Sequence, residues 1–303
     1  MGYALLRIAG VLGLMLSSCI TAGAQDSPTL GKIKQSGTIV IGHRDIGIPF
    51  SYYDGAHQPI GYSIDICLKI VDGIKQELGV KSLDVRFKEV NASTRIPFVV
   101  NGTIDMECGS TSNSVARDRQ VAFSLTTFIA SPRFVTKKDA GLTTLESLRG
   151  KTMSAVAGTA TLRTFSQLNS RSNIGLTIEP VKDHATAFEM LDTGEVDSYG
   201  AVDTSAFSMV AKSKHPDRYF VSQPLAVDAF GIMFRKNDPG LKAIADRTIR
   251  AMFKSGEIER LYVKWFESPL PRLGFSLSMP MSKALKHAIA SPSDSPNPAD
   301  YGG

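Results

Sequence analysis

Two successive runs of alternating strand and helix patterns constrain this 303-residue chain more than any other feature. The first run starts with the strand pattern "TIVIGHRD", passes through an amphipathic helix pattern that includes Ile64, Leu68, Val71 and Leu78, and ends in a strand near Cys108. The second run starts at "SLRGKTMSAVAGTA" and repeats the same order. Because strands and helices alternate, each run predicts a mostly parallel α/β sheet, and ligands of such sheets bind at the carboxyl ends of the strands. We therefore expect two α/β units with a cleft between them.

Charge and motifs exclude several functional classes. The formal net charge of +5 comes from 34 Lys and Arg against 29 Asp and Glu. It is spread along the chain without a basic run, so nucleic acid is not an expected partner. No G-x-S-x-G, H-E-x-x-H, Walker or G-x-G-x-x-G motif occurs, and metal-ligand spacings are absent. We therefore predict no cofactor, no metal and no catalytic residue, and we do not expect an enzyme.

The amino terminus has the pattern of a secretory signal peptide over residues 1–24. Arg7 precedes an apolar run at 8–16 that is too short to span a bilayer, and the small residues 22–24 form an A-x-A cleavage site. The segment from Leu16 to Cys19 also resembles a lipoprotein cleavage box, which would leave a lipid on Cys19. The sequence therefore predicts an exported, periplasmic protein, either free or lipid-anchored.

Two further cysteines, Cys67 and Cys108, remain once Cys19 is set aside. An oxidising compartment permits a disulfide between them. The alternative is a pair of buried free thiols, because the distance between the two residues cannot be read from the sequence.

The stretch "MECGSTSNSVARDRQ" places small hydroxylated residues and an arginine after a strand. Ser110 and Ser112 lie in the loop, where hydroxyls and free amides favour an anion, and Arg117 could clamp a carboxylate from the following helix. In the alternative interpretation, Ser112 or Ser114 caps that helix and Arg117 is solvated. The two readings differ in whether Arg117 is buried.

Polar residues also follow other strand patterns. Arg44 and Arg95 lie at or just after strand ends in the first unit, which suggests a ligand with more than one carboxylate. In the second unit, Thr159 ends one strand, His184 opens a helix after the next, and Asp203 follows a third. Arginines for carboxylates and an aspartate for an amine would together suit an acidic amino acid.

The motifs "VIGHRD", "GYSIDIC", "RIPFVVNGTIDMECGSTSNSVAR", "KDH" and "KWF" resemble those of the periplasmic amino-acid-binding proteins of ABC importers, bacterial solute-binding protein family 3. The resemblance is to the glutamate/aspartate-binding branch and runs from about Thr38 to Pro271. It implies an α/β, two-lobed, type II periplasmic-binding-protein-like fold. Lobe 1 would be discontinuous, at 38–130 plus 226–267, and lobe 2 would cover 131–225. A C-terminal extension at 268–303 would follow, and its Ser/Pro-rich last dozen residues are predicted to be disordered.

The resemblance also implies a role for each candidate residue. Arg117, with Ser110 and Ser112, would hold the α-carboxylate of the ligand. Arg44 and Arg95 would meet the side-chain carboxylate. Thr159, Thr161 and His184 would close on the ligand from lobe 2. Asp203 would bind its ammonium group.

The chain departs from the pattern of that branch at two hydroxyl positions. Ala92 stands where glutamate binders have a serine, so Ser93 or Asn91 would have to take its place. Ala160 stands at the usual second hydroxyl after the glycine-threonine pair, with Thr161 one residue later.

A third departure concerns the ammonium group. The aspartate of the pattern aligns with Val202, and Asp203 is displaced by one residue. Successive strand residues point to opposite faces, so Asp203 would face away unless the strand contains a bulge.

The expected function is extracytoplasmic capture of glutamate or aspartate and delivery to an inner-membrane ABC permease by a monomeric binding protein. The alternative is a secreted, dehydratase-like enzyme of the same fold that acts on a prephenate-like dicarboxylate. Such an enzyme needs a general acid, for which Glu107 and His184 are the candidates. Presentation of the ligand to a chemosensory receptor is compatible with transport.

Overall fold

The computed structural model describes residues 1–2 and 27–301. Most of the predicted signal peptide, including Cys19, lies outside the described residues, as do 302 and 303. Within the described ranges, no helix has both the length and the apolar character needed to cross a bilayer.

The strands are short. They are β1 (Thr38–His43), β2 (Ile46–Gly47), β3 (Ser51–Tyr53), β4 (Pro59–Ile60), β5 (Asp84–Glu89), β6 (Met106–Glu107), β7 (Val121–Phe123), β8 (Phe128–Ala130), β9 (Pro132–Lys137), β10 (Thr152–Val156), β11 (Thr177–Val181), β12 (Ser198–Val202), β13 (Tyr219–Val221), β14 (Asp228–Phe230) and β15 (Met233–Arg235).

The helices alternate with these strands. They are α1 (Pro28–Ser36), α2 (Tyr62–Leu78), α3 (Arg95–Val100), α4 (Val115–Asp118), α5 (Ala160–Arg171), α6 (His184–Thr193), α7 (Asp203–Lys212), α8 (Pro239–Lys254), α9 (Glu257–Tyr262) and α10 (Lys283–Ala290).

Ten of these strands form two five-stranded sheets, β2, β3 and β4 form a three-stranded sheet, and β8 pairs with β14. The first sheet has the order β5-β1-β6-β15-β7, with β1 parallel to β5 and β6, and with β15 antiparallel to β6 and β7. The second has the order β11-β10-β12-β9-β13, with β10 parallel to β11 and β12, and with β9 antiparallel to β12 and β13. The two sheets confirm the predicted two-lobed α/β fold. Lobe 1 here means the part built on the first sheet, and lobe 2 the part built on the second.

The chain passes between the lobes through β8 and β14, which pair with each other antiparallel. Phe128 of β8 stacks on Phe266 with 4.9 Å between ring centroids, and it meets Phe50 edge to face at 4.8 Å. Phe230 of β14 joins the same aromatic cluster. These strands are therefore anchored in the core of lobe 1. The lobe boundaries given from the sequence stay a prediction.

Helix α2 carries the main apolar face of lobe 1. Its buried side includes Cys67, Ile70 and Ile74, and α8 packs against it. Leu68 was expected on this side but is 39% exposed, so that expectation is wrong. A turn of 3.6 residues places position 68 at the edge of the face that the other residues define.

A disulfide joins Cys67 of α2 to Cys108, which directly follows β6. Of the two states that the sequence left open, the structure therefore has the bridged one. The bridge ties the longest helix of lobe 1 to the residue that precedes the hydroxyl-rich loop, and the Cα atoms are 6.3 Å apart.

The carboxyl-terminal segment is packed, and the expectation of disorder is wrong for residues 291–301. Tyr301 is 1% exposed, and its hydroxyl lies 2.7 Å from Thr126 Oγ1. The Thr126 N–H donates to the Ser293 carbonyl at 2.8 Å, and Lys242 forms an ion pair with Asp294 at 2.8 Å. The composition of the segment suggested too little apolar surface for stable packing. Tyr301 and several hydrogen bonds nevertheless hold the segment on lobe 1.

Candidate functional site

Arg95 opens α3 and is almost completely buried, at 2% exposure. Its Nη1 donates to Thr111 Oγ1 at 2.7 Å and to the Ser110 carbonyl at 3.2 Å. The Thr111 hydroxyl in turn donates to Glu107 Oε2 at 2.6 Å. Burial, followed by the nearby Arg117, lowers the pKa of Arg95 to about 9, so the guanidinium remains charged at neutral pH. The loop after β6 therefore holds this arginine through Thr111.

Arg117 lies in α4 and is 3% exposed. Its Nη1 donates to the Ser112 carbonyl at 3.0 Å. Burial, followed by repulsion from Arg163, lowers its pKa to about 10, so it too is charged at neutral pH. The interpretation with a solvated Arg117 is wrong. Its capping part fails as well, since Ser114 is the N-cap residue without a side-chain capping bond, and the Ser112 hydroxyl donates to Asp228.

Arg44 follows β1 directly. Its backbone N–H donates to Ser51 Oγ at 2.8 Å, and its carbonyl accepts from the same hydroxyl at 3.1 Å. Its Nε is buried and has no partner among residues 27–301. A Cβ built on Gly109 would lie 3.1 Å from Arg44 Cγ, so the arginine stem lies against the start of the hydroxyl-rich loop.

The structure thus brings three arginines of lobe 1 to one place. Arg44 and Arg117 both act electrostatically on Arg95 and lower its pKa. The nearby negative charges are Glu107 and Asp228, and Glu107 is fully buried beneath Thr111. Buried guanidinium groups with unused donors favour an anionic ligand, because unpaired buried charge is costly.

The lobe 2 wall begins at the end of β10. Gly158 has φ +73°, which favours glycine, and its carbonyl accepts from Arg117 Nη2 at 3.2 Å. A Cβ on Gly158 would lie 3.4 Å from the Ala92 carbonyl oxygen of lobe 1. The two lobes therefore meet at Gly158. It contacts Arg117 and Ala92 of lobe 1 through its backbone.

The predicted hydroxyls of lobe 2 serve their own helix. Thr159 Oγ1 accepts from the Leu162 N–H at 3.2 Å and donates to the Val156 carbonyl at 2.7 Å. Thr161 is buried in the first turn of α5, and no hydrogen bond in the described part of the chain links it to the arginines. Its place beside the ligand stays a prediction.

His184 is the first residue of α6, and Asp183 caps that helix by accepting from the Thr186 N–H at 2.8 Å. The ring is fixed by the Tyr199 hydroxyl, 2.7 Å from Nδ1, and by Ser205 Oγ, 3.3 Å from Nε2. Burial, followed by repulsion from Arg44, lowers the pKa of His184 to about 4. His184 is therefore a neutral imidazole at neutral pH, held by two partners of lobe 2.

Asp203 is the first residue of α7, and its assignment to the ammonium group of the ligand stays a prediction. It follows the regular strand β12, and its Oδ1 accepts from the Thr204 N–H at 2.8 Å. It lines a cavity of about 290 Å³ together with Arg133, and burial raises its pKa to about 6.

The two proposed substitutes for the missing serine at Ala92 are engaged in their own turn. Asn91 Oδ1 accepts from the N–H of Ser93 at 2.9 Å, and the Ser93 hydroxyl donates to the same oxygen at 2.7 Å. These bonds shape the loop before Arg95. The Ser93 hydroxyl thus donates within the loop, and a ligand contact from Asn91 or Ser93 stays a prediction.

Two residues of the site were missed from the sequence, Thr111 and Asp228. Thr111 is fully buried and links Arg95 to Glu107. Asp228 begins β14, close to the predicted lobe boundary between residues 225 and 226, and its Oδ2 accepts from Ser112 Oγ at 2.7 Å. For Asp228, the predicted lobe boundary nearby was the available signal, whereas Thr111 differs from its serine neighbours only by a methyl group.

Two α/β lobes joined by a pair of strands, with a buried arginine cluster where they meet, define a solute-binding protein that encloses a small anionic ligand. The chain belongs to the bacterial extracellular solute-binding proteins, family 3, whose family model matches residues 39–268. It is 40% identical to an L-glutamate/L-aspartate-binding protein of Pseudomonas aeruginosa over 290 residues, which cover 92% of this chain and 96% of the relative.

Another relative is a glutamate/aspartate import solute-binding protein of Escherichia coli K12. It is 35% identical over 289 residues, which cover 94% of this chain and 96% of the relative. Among solved structures, an ABC uptake transporter substrate-binding protein from Streptococcus pneumoniae with bound histidine has a TM-score of 0.69 at 22% identity. That match covers 80% of this chain and 97% of the other, and it supports the fold alone.

Proposed function

We propose that this protein captures glutamate or aspartate outside the cytoplasm and delivers it to an ABC permease in the inner membrane. The observation that carries the proposal is the convergence of Arg44, Arg95 and Arg117, two of them almost fully buried, on one side of the cleft. Three fixed positive charges suit a ligand with two carboxylates. The names of the relatives point to the same ligands.

Each arginine has a proposed place in recognition. Arg117, whose fork is oriented by the Ser112 carbonyl, clamps the α-carboxylate, and the Ser110 segment of the loop contributes to the same subsite. Arg44 and Arg95 meet the side-chain carboxylate. His184, Thr159 and Thr161 close from lobe 2, and closure strengthens the arginine–carboxylate pairs because water is excluded.

The dehydratase alternative lacks a suitable general acid. Glu107 is fully buried, and its carboxylate accepts from Thr111 beneath the arginines. The pKa of His184 is lowered to about 4, so its ring is the neutral imidazole at neutral pH, which is too weak an acid for this role. Binding without bond making is therefore the function that the site supports best.

The remaining parts of the proposal concern the setting of the protein. We expect a periplasmic monomer, free or lipid-anchored, because the first 24 residues have the pattern of a signal peptide. Its closed form would be the one that the permease recognises. Presentation of the same closed form to a chemosensory receptor is compatible with this setting.

Isothermal titration tests the proposal. The protein is unfolded and refolded to remove co-purified ligand, then titrated with glutamate, aspartate, glutamine, lysine and histidine. We expect micromolar or tighter binding of glutamate or aspartate. Binding of a neutral amino acid but of neither acid would contradict the proposed specificity for acidic amino acids. If no amino acid binds, other dicarboxylates become the better candidate ligands.

Arg44→Ala tests the side-chain carboxylate subsite in the same titration. Loss of one charge-assisted contact should weaken glutamate binding by about 30-fold. Glutamine, which has no second carboxylate, should be affected much less. An equal loss for both ligands would contradict the role given to Arg44.

A further inference from the structure

Arg95 keeps one edge of its guanidinium group free. Its Nη1 already has two acceptors, Thr111 Oγ1 at 2.7 Å and the Ser110 carbonyl at 3.2 Å. Its Nε is buried without a partner among residues 27–301, and no hydrogen bond in that range uses Nη2. The edge formed by Nε and Nη2 is therefore the part of the group that a ligand can use.

This edge distinguishes a carboxylate from an amide. The Nε–H and one Nη2–H lie parallel, and two parallel donors match the two oxygens of a carboxylate. A carboxamide has one oxygen and an NH2 group, and the NH2 group is itself a donor, so only one of the two N–H groups is satisfied. A buried donor left without an acceptor is costly. An arginine held with this edge towards the ligand therefore selects an acid over its amide.

Thr111 holds the opposite side of the Arg95 guanidinium. The residue is fully buried, and its single hydroxyl hydrogen is donated to Glu107 Oε2 at 2.6 Å. The Thr111 oxygen can therefore only accept, and what it accepts is the hydrogen bond from Arg95 Nη1. Because the hydroxyl has no second hydrogen, it has none to donate to a ligand. Thr111 thus acts on the ligand through Arg95.

Glu107 is fixed beneath this loop. It lies in β6, where it is in register with Gly42 of β1 and Met233 of β15, and it is fully buried. A Cβ built on Gly109 would lie 2.4 Å from Glu107 Oε1, so the backbone of the loop passes directly over the carboxylate. Burial is the main cause that lowers the pKa of Arg95, and the charge of Glu107 opposes it. Glu107 therefore supplies an acceptor for the Thr111 hydroxyl and a counter-charge for the guanidinium.

We infer that Thr111, oriented by Glu107, is a positioning residue that holds Arg95 for side-on binding of the ligand's side-chain carboxylate and thereby sets the preference for glutamate over glutamine. The inference rests on the proposed function and names the residue that determines its specificity. Without the Thr111 hydroxyl, Arg95 loses the contact that fixes its orientation. The acid then loses one of its two parallel hydrogen bonds, whereas the amide loses little.

Titration calorimetry with glutamate and glutamine tests this role in the native protein, Thr111→Val and Thr111→Ser. Valine has the shape of threonine without the hydroxyl, and serine keeps the hydroxyl without the methyl group. We expect Thr111→Val to weaken glutamate binding by about tenfold, the loss typical of one hydrogen bond, and glutamine binding by less than about twofold. Thr111→Ser should keep the native ratio of the two dissociation constants.

The chain offers a matched control in lobe 2. Thr136 is fully buried, and its hydroxyl donates to the Leu142 carbonyl at 2.8 Å. Thr136→Val removes a comparable hydroxyl and should leave both dissociation constants unchanged. Thr111→Ala removes the same hydroxyl as Thr111→Val with less steric demand, so it takes the place of that variant if the valine protein does not fold. Glutamine binding that is too weak for direct titration is measured by titrating glutamate in the presence of glutamine.

The outcomes separate the role of Thr111 from the proposed function. Native protein that binds no acidic amino acid contradicts the proposed function itself. Native protein that binds glutamate no better than glutamine overturns the inference alone, as does a ratio of the two constants that Thr111→Val leaves unaltered. A loss in Thr111→Ser as large as that in Thr111→Val also overturns it, because the methyl group and not the hydroxyl would then be responsible.

Discussion

The two walls of the cleft are built differently. On the lobe 1 wall, Arg95 and Arg117 are fixed by hydrogen bonds to the loop after β6, and that loop is tied to α2 by a disulfide. On the lobe 2 wall, Thr159 caps its own helix, and Gly158 contributes a backbone carbonyl. His184 is neutral and held by Tyr199. The arginines that we propose bind the ligand thus all belong to lobe 1.

This difference assigns separate tasks to the lobes. A wall whose arginines are held in place before the ligand arrives gives affinity, because little side-chain freedom is lost on binding. The lobe 2 wall consists of the capped start of α5, at Thr159, and the neutral ring of His184. It gives the cleft its shape and excludes water without adding charge. Lobe 1 should therefore account for most of the binding energy and lobe 2 for closure.

The largest effect should come from the lobe 1 clamp. Arg117→Ala removes a charged, bidentate-capable group from a buried site, so glutamate affinity should fall by about 1,000-fold. Titration calorimetry measures the loss. Arg119→Ala, an exposed arginine two residues along, is the matched control and should bind as the native protein does. A loss below tenfold in Arg117→Ala would break the assignment of affinity to lobe 1.

A second effect concerns the disulfide that stabilises lobe 1. Replacing both Cys67 and Cys108 with alanine removes a cross-link between residues 41 positions apart. The unfolded chain then gains freedom, so the free energy of unfolding should fall by about 3 kcal/mol. Urea denaturation measures the change. Reductant should destabilise the native protein by a similar amount and leave the double variant unaffected. If reductant leaves the native protein unaffected as well, the bridge does not brace this lobe.

The smallest effect belongs to lobe 2 and depends on pH. The pKa of His184 is lowered from 6.5 to about 4, so the folded state favours the neutral ring. Its contribution to stability is complete above pH 6.5 and is lost as the pH falls towards 4. Between pH 7.5 and 5 the native protein should lose about 2 kcal/mol more than His184→Gln. Denaturation curves at both pH values measure the difference, and parallel losses would contradict the buried, neutral state of His184.

Much of the architecture followed from local patterns. The alternation of strands and helices gave two α/β units, because hydrophobic periodicity is set by the local geometry of each element. The burial of Arg117 did not follow, since the loop after β6 could as well have capped a solvated helix. Leu68 and the tail near Tyr301 were also misjudged, because their exposure depends on surfaces supplied by distant parts of the chain.

The sequence by itself determined the class of fold, the family resemblance and the presence of three arginines after strand ends. Only the tertiary structure decided which carboxylate lies beside them. Asp203 and Asp228 both lie at or next to strand ends, but Arg133 acts on the first, whereas the second accepts a hydrogen bond from Ser112. Side-chain direction at a strand end depends on register and on the packing of remote segments, and neither is written in local composition.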